Sequence, residues 1–380
     1  MELGYGMFDA DNHLYEASDA FTRHLPERRR RDFYWVTDDR GHRLIVVGNR
    51  VWDYIVNPTF DPVAVAGALD RRKVEPLGDR PEYRDPVRRV ARFDEQGIEA
   101  SLMFPTLASG LTEIVGDNLW LLSDLTWSFN RWLEEDWGFA FENRSFATPL
   151  FTLSDVDESV AMLEWALERG CRAIMVCGGP VRTQLGWTSP ADPMFDPLWA
   201  RCAEAGVVVC VHAAAAGYNR HSGEYTGNYE LRPFQDQTLD TLLNRGRPVS
   251  DFFAAMIWQG ATTRHRNLRF LSVENHADWV PRLVSLLGRF GRASTLGEDP
   301  VDVFHRCVWV TPHWEDDIEG LIELIPVERV TAGSDFPHYD ALAEPTDFAK
   351  HLNGLSSQDV RKVMRDNLRS ILTGGVQTFV

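Results

Sequence analysis

Cysteine pairs at CxxC spacing, long apolar runs and an excess of positive charge are all missing from this chain. The five cysteines, Cys171, Cys177, Cys202, Cys210 and Cys307, are odd in number and lie mostly in apolar runs. That pattern argues against a disulfide framework and for a reduced, cytoplasmic protein. No stretch reaches the roughly 18 apolar residues of a membrane span. The opening MELGYGMFDADNH has no basic region followed by an apolar one, so a signal peptide is not expected either. Basic residues are outnumbered, 39 Lys and Arg against 56 Asp and Glu. The resulting formal charge of -17 repels nucleic acid phosphates and anionic membrane surfaces. Short repeats and low-complexity tracts are lacking as well.

What is present is the composition of a large globular unit: 380 residues, 44% hydrophobic and 25% charged, read as one domain over 1–380. Eight short apolar runs punctuate it: YGMFDAD, IEASLMFPT, FATPLFTL, CRAIMVCGG, GVVVCVHA, LRFLSVEN, CVWVTP and ERVTAGSD. Between several of them, as in 155–169 and 192–205, apolar residues recur at three- and four-residue spacing until Gly170 or Gly206, the pattern of a helix with a glycine stop. Eight βα units close a (β/α)8 TIM barrel. Two insertions, about 14–93 and about 213–248, follow strands one and five and are expected as lids over the barrel mouth. The first contains FYWVTDDRGHRLIVVGNRVW, read as a β-hairpin around Asp38–Gly41. The second has weak periodicity and is expected as a long binding loop.

Asp9, Asp11 and His13 alternate at the end of the first strand, so all three side chains share one face. His212 follows VVVCV, Glu274 follows LRFLSV and Asp335 follows VTAGS. Polar residues that end apolar barrel strands meet at the barrel mouth. Acids and imidazoles desolvated together are costly unless a cation compensates them. Four aromatic residues in 120–141, Trp120, Trp127, Trp132 and Trp137, stand at helical spacing and are expected mainly as core, with pocket lining the alternative. Arg28 to Arg31 read as a solvated helix face, with reception of a substrate carboxylate or coenzyme A phosphate as the sharper alternative.

With Gly333-Ser334-Asp335-Phe336-Pro337-His338 and the Asp11-x-His13 pair, nearly the whole chain resembles the amidohydrolase superfamily. The closest likeness is to its branch of aminocarboxymuconate semialdehyde decarboxylase and the metal-dependent benzoate decarboxylases. That branch carries HxH or ExH on strand one, a histidine on strand five, another on strand six, and an aspartate in G-[ST]-D-x-P-H on strand eight. Here Asp11 replaces the first His or Glu, and Glu274 the strand-six histidine. The resemblance implies metal ligands at Asp11, His13, His212 and Asp335. Glu274, His276 and His313 are further ligand candidates, and Glu274, His276 and Asp335 are the candidates for catalysis. Asp9, Glu16 and His338 are expected around the ligands or against substrate.

The carboxylate-rich set also resembles the TIM-barrel non-haem di-iron monooxygenases that hydroxylate diterpenoid-like natural products. That likeness implies two irons, dioxygen, an electron donor and a bulky apolar substrate, with or without a carboxylate or coenzyme A group. The alternative is a decarboxylase or hydrolase with one zinc or manganese. Assembly into homo-oligomers is left open.

Overall fold

The computed structural model describes residues 3–41, 43–52, 80–214, 217–229, 239–293, 295–338 and 341–374. The first barrel strand is built from β1 (Met7–Asp9) and β2 (His13–Leu14). A three-stranded antiparallel sheet then inserts, β3 (Phe33–Thr37), β4 (Arg43–Val47) and β5 (Arg50–Trp52). This is the expected hairpin, with one further strand. The barrel resumes with β6 (Ile98–Pro105), the pair β7 (Ser145–Ala147) and β8 (Leu150–Phe151), and β9 (Ala173–Cys177). A small hairpin, β10 (Val181–Thr183) and β11 (Gly186–Thr188), follows. The ring continues through β12 (Val208–His212), β13 (Arg269–Val273) and β14 (Val308–Val310).

All pairings around the ring are parallel: β1 with β6, β6 with β7, β8 with β9, and β9, β12, β13 and β14 in succession. Segment 330–336 closes it. Thr331 N donates to Val310 O at 3.0 Å, and Ala10 N donates to Ala332 O at 2.9 Å. All eight apolar runs of the sequence thus become staves of a (β/α)8 barrel. Runs buried on both faces have no reason to alternate, and β9, β12 and β13 are almost uniformly buried.

The helices obey their local signals. Asp155 caps Val156–Leu167 by accepting from Glu158 N, and Gly170 follows at φ 81°. Asp196–Ala205 ends on Gly206 at φ 68°, a left-handed position that glycine adopts without steric cost. Of the aromatic quartet, Trp132 and Trp137 are buried in the core, whereas Trp120 is 68% exposed. Trp120 borders a small pocket with Phe151 and Ser154, and Trp127 Nε1 donates to Glu158 Oε2 at 2.7 Å.

The second insertion departs from the expected loop. Its described residues hold the helices Asn219–Thr226 and Leu239–Asn244. Residues 53–79 of the first insertion, and 215–216 and 230–238 of the second, lie outside the described residues. No helix among the described residues is long and apolar enough to cross a membrane. All five cysteines are free thiols, four of them buried.

Trp199 is wholly buried on the helix behind β9 and β12, and its indole Nε1 donates to Pro190 O at 2.8 Å. Trp199→Ala leaves a cavity and an unmet acceptor, and is expected to cost about 3–5 kcal/mol. A drop in the thermal or denaturant midpoint checks it; an unchanged midpoint would mean that the helix layer does not stabilise the barrel.

Candidate metal centre

The barrel mouth gathers its polar side chains from four distant stretches of chain. His13 Nε2 lies 3.3 Å from Asp11 Oδ1, 3.4 Å from Glu274 Oε2 and 3.2 Å from Asp335 Oδ1. His212 Nε2 lies 3.1 Å from Glu274 Oε2 and 3.8 Å from Asp11 Oδ1. Ligands bound to one small cation at about 2.0–2.2 Å stand about 3.0–3.6 Å apart, so this spacing is that of one coordination shell. Asp11, His13 and His212 are at most 3% exposed. Asp11 Oδ1, His13 Nε2, His212 Nε2 and Asp335 Oδ1 have no hydrogen-bond partner among the described residues. Buried polar atoms left unmatched are rare; a divalent cation held with Glu274 would match those of Asp11, His13 and His212 together. The arrangement is a divalent-metal site.

Two overlapping quartets meet the spacing for a metal: Asp11, His13, His212 and Glu274; and His13, Glu274, Asp335 and His338. Five residues expected as ligands, Asp11, His13, His212, Glu274 and Asp335, are therefore brought together. His338, expected near the ligands or against substrate, joins them, its Nδ1 2.7 Å from Asp335 Oδ1. His276 and His313 fall outside both quartets. Their rings lie 5.0 Å apart, and Asp316 ties them together. Its Oδ1 is 3.2 Å from His276 Nδ1, and its Oδ2 accepts from His313 N at 2.8 Å.

The electrostatics follow from crowding. Burial opposes a charged imidazole at His13, but Asp11, Asp335 and Glu274 outweigh it and raise its pKa well above the ordinary 6.5. His212 is raised in the same way, burial again opposing and Glu274 and Asp11 prevailing. Burial alone would lift Asp335, yet His338 and His13 hold its carboxyl well below the usual range. Burial pushes Asp9 and Glu16 up to about 7. Desolvation and the neighbouring His276 lower His313, which keeps it neutral at pH 7.

Local structure fixes each ligand. His212 Nδ1 faces Ala213 O at 3.0 Å, which leaves the lone pair on Nε2 for a cation. Glu274, His276 and Asp335 all adopt positive φ, at 58°, 56° and 56°. Such backbone strain persists where the surroundings over-determine it and is typical of functional sites. Asp9 spends both oxygens on structure, accepting from Ser334 N at 2.9 Å and Ser334 Oγ at 2.6 Å, and from Asn12 Nδ2 and Asp11 N. It clamps the ends of strands one and eight. Glu16 accepts from Leu107 N and Ala108 N, both at 2.9 Å.

Two supports escaped sequence reasoning. Arg89, wholly buried, donates to Asn12 Oδ1 at 2.8 Å, His13 O at 2.7 Å and Glu82 O at 2.7 Å. Burial lowers its pKa to about 10. Its only signal was an arginine on the core-facing side of helix Pro86–Gln96. Asn275 Nδ2 donates to Val211 O and Val273 O, both at 2.8 Å, joining strands five and six beside His212 and Glu274. Three of the four arginines of the basic run are ion-paired: Arg28 and Arg29 reach Asp124, and Arg30 reaches Glu27. That leaves the run a solvated face rather than an anion receiver.

Loss of a ligand through His212→Ala is expected to weaken metal binding by more than 100-fold. Ser334→Ala, which removes part of the Asp9 clamp, should cost roughly 10–100-fold, the range for an outer partner; equilibrium dialysis with manganese measures both. The chelated protein carries a second expectation. Raised imidazole pKa values contribute stability that is complete below the unfolded value of 6.5 and is lost as pH climbs through the folded values. Its melting temperature should therefore fall from neutral to alkaline pH, and added manganese should abolish the fall. An identical pH profile with and without metal would contradict the ligand assignment.

An amidohydrolase family model matches residues 9–372. No curated relative matches the chain. Among solved structures, an amidohydrolase from Mycobacterium avium subsp. paratuberculosis K-10 is 36% identical, with a TM-score of 0.92 over 98% of this chain and 99% of that one. A dihydroxybenzoic acid decarboxylase from Polaromonas sp. JS666, solved with manganese and the inhibitor 2-nitroresorcinol, is 14% identical at TM-score 0.62, covering 97% of each chain. A 2,6-dihydroxybenzoate decarboxylase from Rhizobium is 13% identical at TM-score 0.64, covering 97% of this chain and 98% of that one. The last two share the fold.

Proposed function

The chain belongs to the amidohydrolase family, and from that premise we propose that it is a single-cation enzyme that removes carbon dioxide from a small organic carboxylate. The observation that carries the reading is the donor spacing. Asp11, His13, His212 and Glu274 present one atom each, at separations of 3.1–3.8 Å where these are measured, as a single ion requires. The manganese-bound decarboxylase neighbour supports the same class. These neighbours match the single-metal alternative better than the di-iron oxygenase, and none of the comparisons points to iron, dioxygen or natural-product chemistry.

A divalent cation there would supply positive charge to polarise a substrate oxygen. The side chains do the remainder. Asp335, ionised and set between His13 and His338, borders the ion and repels a second anion, which biases a carboxylate toward the opposite side of the mouth. Loss of carbon dioxide leaves an electron pair on carbon that must take a proton. The strand-six histidine expected for that task is replaced by Glu274, which the quartet uses as a ligand. His276, whose Nδ1 is shared by Arg245 Nη2 at 3.0 Å and Asp316 Oδ1 at 3.2 Å so that Nε2 is left for the proton, and His313, neutral at pH 7, are the imidazoles beside the quartets available to move it.

One observation favours a second reading. Asp335 and His338, in the second quartet, offer donors beyond the four that one ion would use. Two irons so held would suit dioxygen activation and hydroxylation of an apolar substrate. One experiment separates the two readings. The protein is loaded with manganese, zinc or iron, assayed for metal content, and offered aromatic acids beginning with 2,6-dihydroxybenzoate with and without oxygen. The lyase reading expects about one ion per chain and carbon dioxide release unaffected by anaerobiosis. About two irons per chain with oxygen-dependent turnover would replace it with the oxygenase.

A further inference from the structure

A cavity of about 690 Å3 opens on the same face of the barrel as the metal quartet, walled by segments that follow strands one to five, the small β10–β11 hairpin among them. Its volume is that of a small-molecule pocket. Its floor adjoins the candidate metal site. Cys177, at the end of β9, lines it and is the register partner of His212 on β12. Partners on adjacent parallel strands project to the same face, so the cavity floor lies one strand away from a metal ligand.

The wall has two chemical characters. Phe151, Val181 and Trp187 give it an apolar side. Arg50, Arg182 and Arg220 give it a cationic one, in a chain whose net charge is -17. Two acids also face the space, Glu113 and Asp117, and they offset only part of that charge. Asp117 Oδ1 holds Arg182 Nε at 2.8 Å. Arg50 Nη1 donates to Glu113 O at 3.0 Å and Ile114 O at 3.1 Å, so its guanidinium is fixed in place. Arg220 forms no ion pair among the described residues. Three guanidiniums against two carboxylates leave one positive charge in surplus, next to an aromatic surface.

We propose that this chamber receives the non-reacting end of the substrate, an apolar body that carries an anionic group, carboxylate or phosphate, met by Arg182 and Arg220. The assignment rests on the metal-site reading for the reacting end of that substrate, whereas its own contacts do not require a metal. A molecule with one end at the quartet and the other in the chamber passes over His212 and Cys177. Specificity then comes from the second anion rather than from the ion, which distinguishes this chain from one built for a compact acid.

The probe is 6-fluoro-2-naphthoate, followed by 19F NMR on manganese-loaded and zinc-loaded protein, with 6-fluoro-2-naphthyl phosphate and neutral 2-fluoronaphthalene alongside. The expected result is saturable binding of an anionic probe, weakened at least tenfold in the surface variant R182Q/R220Q and abolished by the space-filling Val181→Trp. Whichever anion binds more tightly names the group. Relaxation of the bound probe should be faster with manganese than with zinc, because the paramagnetic ion sits nearby. Equal affinity in R182Q/R220Q, or equal affinity for 2-fluoronaphthalene, overturns the anion site. Equal relaxation with the two metals overturns its link to the reacting end. A protein that takes up no metal would fail the reading of the previous section, while the arginine dependence would still decide this one.

Discussion

Repulsion among carboxylates and desolvated imidazoles at one end of a barrel is the constraint from which the rest of this molecule follows. Asp11, Glu274 and Asp335 approach His13 to within 3.2–3.4 Å, and only Glu274 keeps part of its side chain in water. Such a cluster is tolerable only if positive charge is present. Without a cation, protons on His13 and His212 supply it, as their raised pKa values record. With one, the same atoms become ligands. Proton and metal thus compete for one set of lone pairs, which makes the metal centre and the pH response two aspects of a single balance.

The framework is arranged to hold those atoms in place at some cost. Three residues with positive φ at the strand ends are held by a polar network beneath them. Asp9 ties strand one to Ser334 on strand eight, Asn275 ties strand five to strand six, and buried Arg89 grips Asn12 and the His13 carbonyl. Charge is handled in layers. Arg89 lies below the ligands and faces backbone carbonyls and an amide, so it adds positive potential without occupying a ligand position. The arginines of the adjoining chamber stand on segments that follow strands one, four and five.

Much of this was legible in the chain. The eight apolar runs became eight staves because burial on both faces of a barrel strand demands near-continuous apolar sequence. Polar residues at the ends of those runs gather in one cluster because a strand end is where a barrel interior meets solvent. Asp11, His13, His212, Glu274 and Asp335 were all visible by that rule. His276 and His313 satisfied it too, yet a positive φ at His276 and the Asp316 carboxylate hold them away from the quartets, as a pair of their own. Position along the sequence gives no warning of such a turn. The second insertion folded into helices where its weak periodicity indicated a loop, since eight- and six-residue helices are too short to establish a period. The four arginines at 28–31 read as a solvated face, and Asp124, about a hundred residues away, pairs with two of them.

The sequence by itself determined the barrel and most of the residues that gather at its mouth, because strand burial and side-chain alternation are properties of short segments. Only the tertiary structure decided which donors share an ion, that Arg89 and Asn275 hold them, and that Arg50, Arg182 and Arg220 meet beside them in one chamber. Those facts depend on distances between residues tens to hundreds of positions apart. Closing the ring, strand one against strand eight, is what sets those distances.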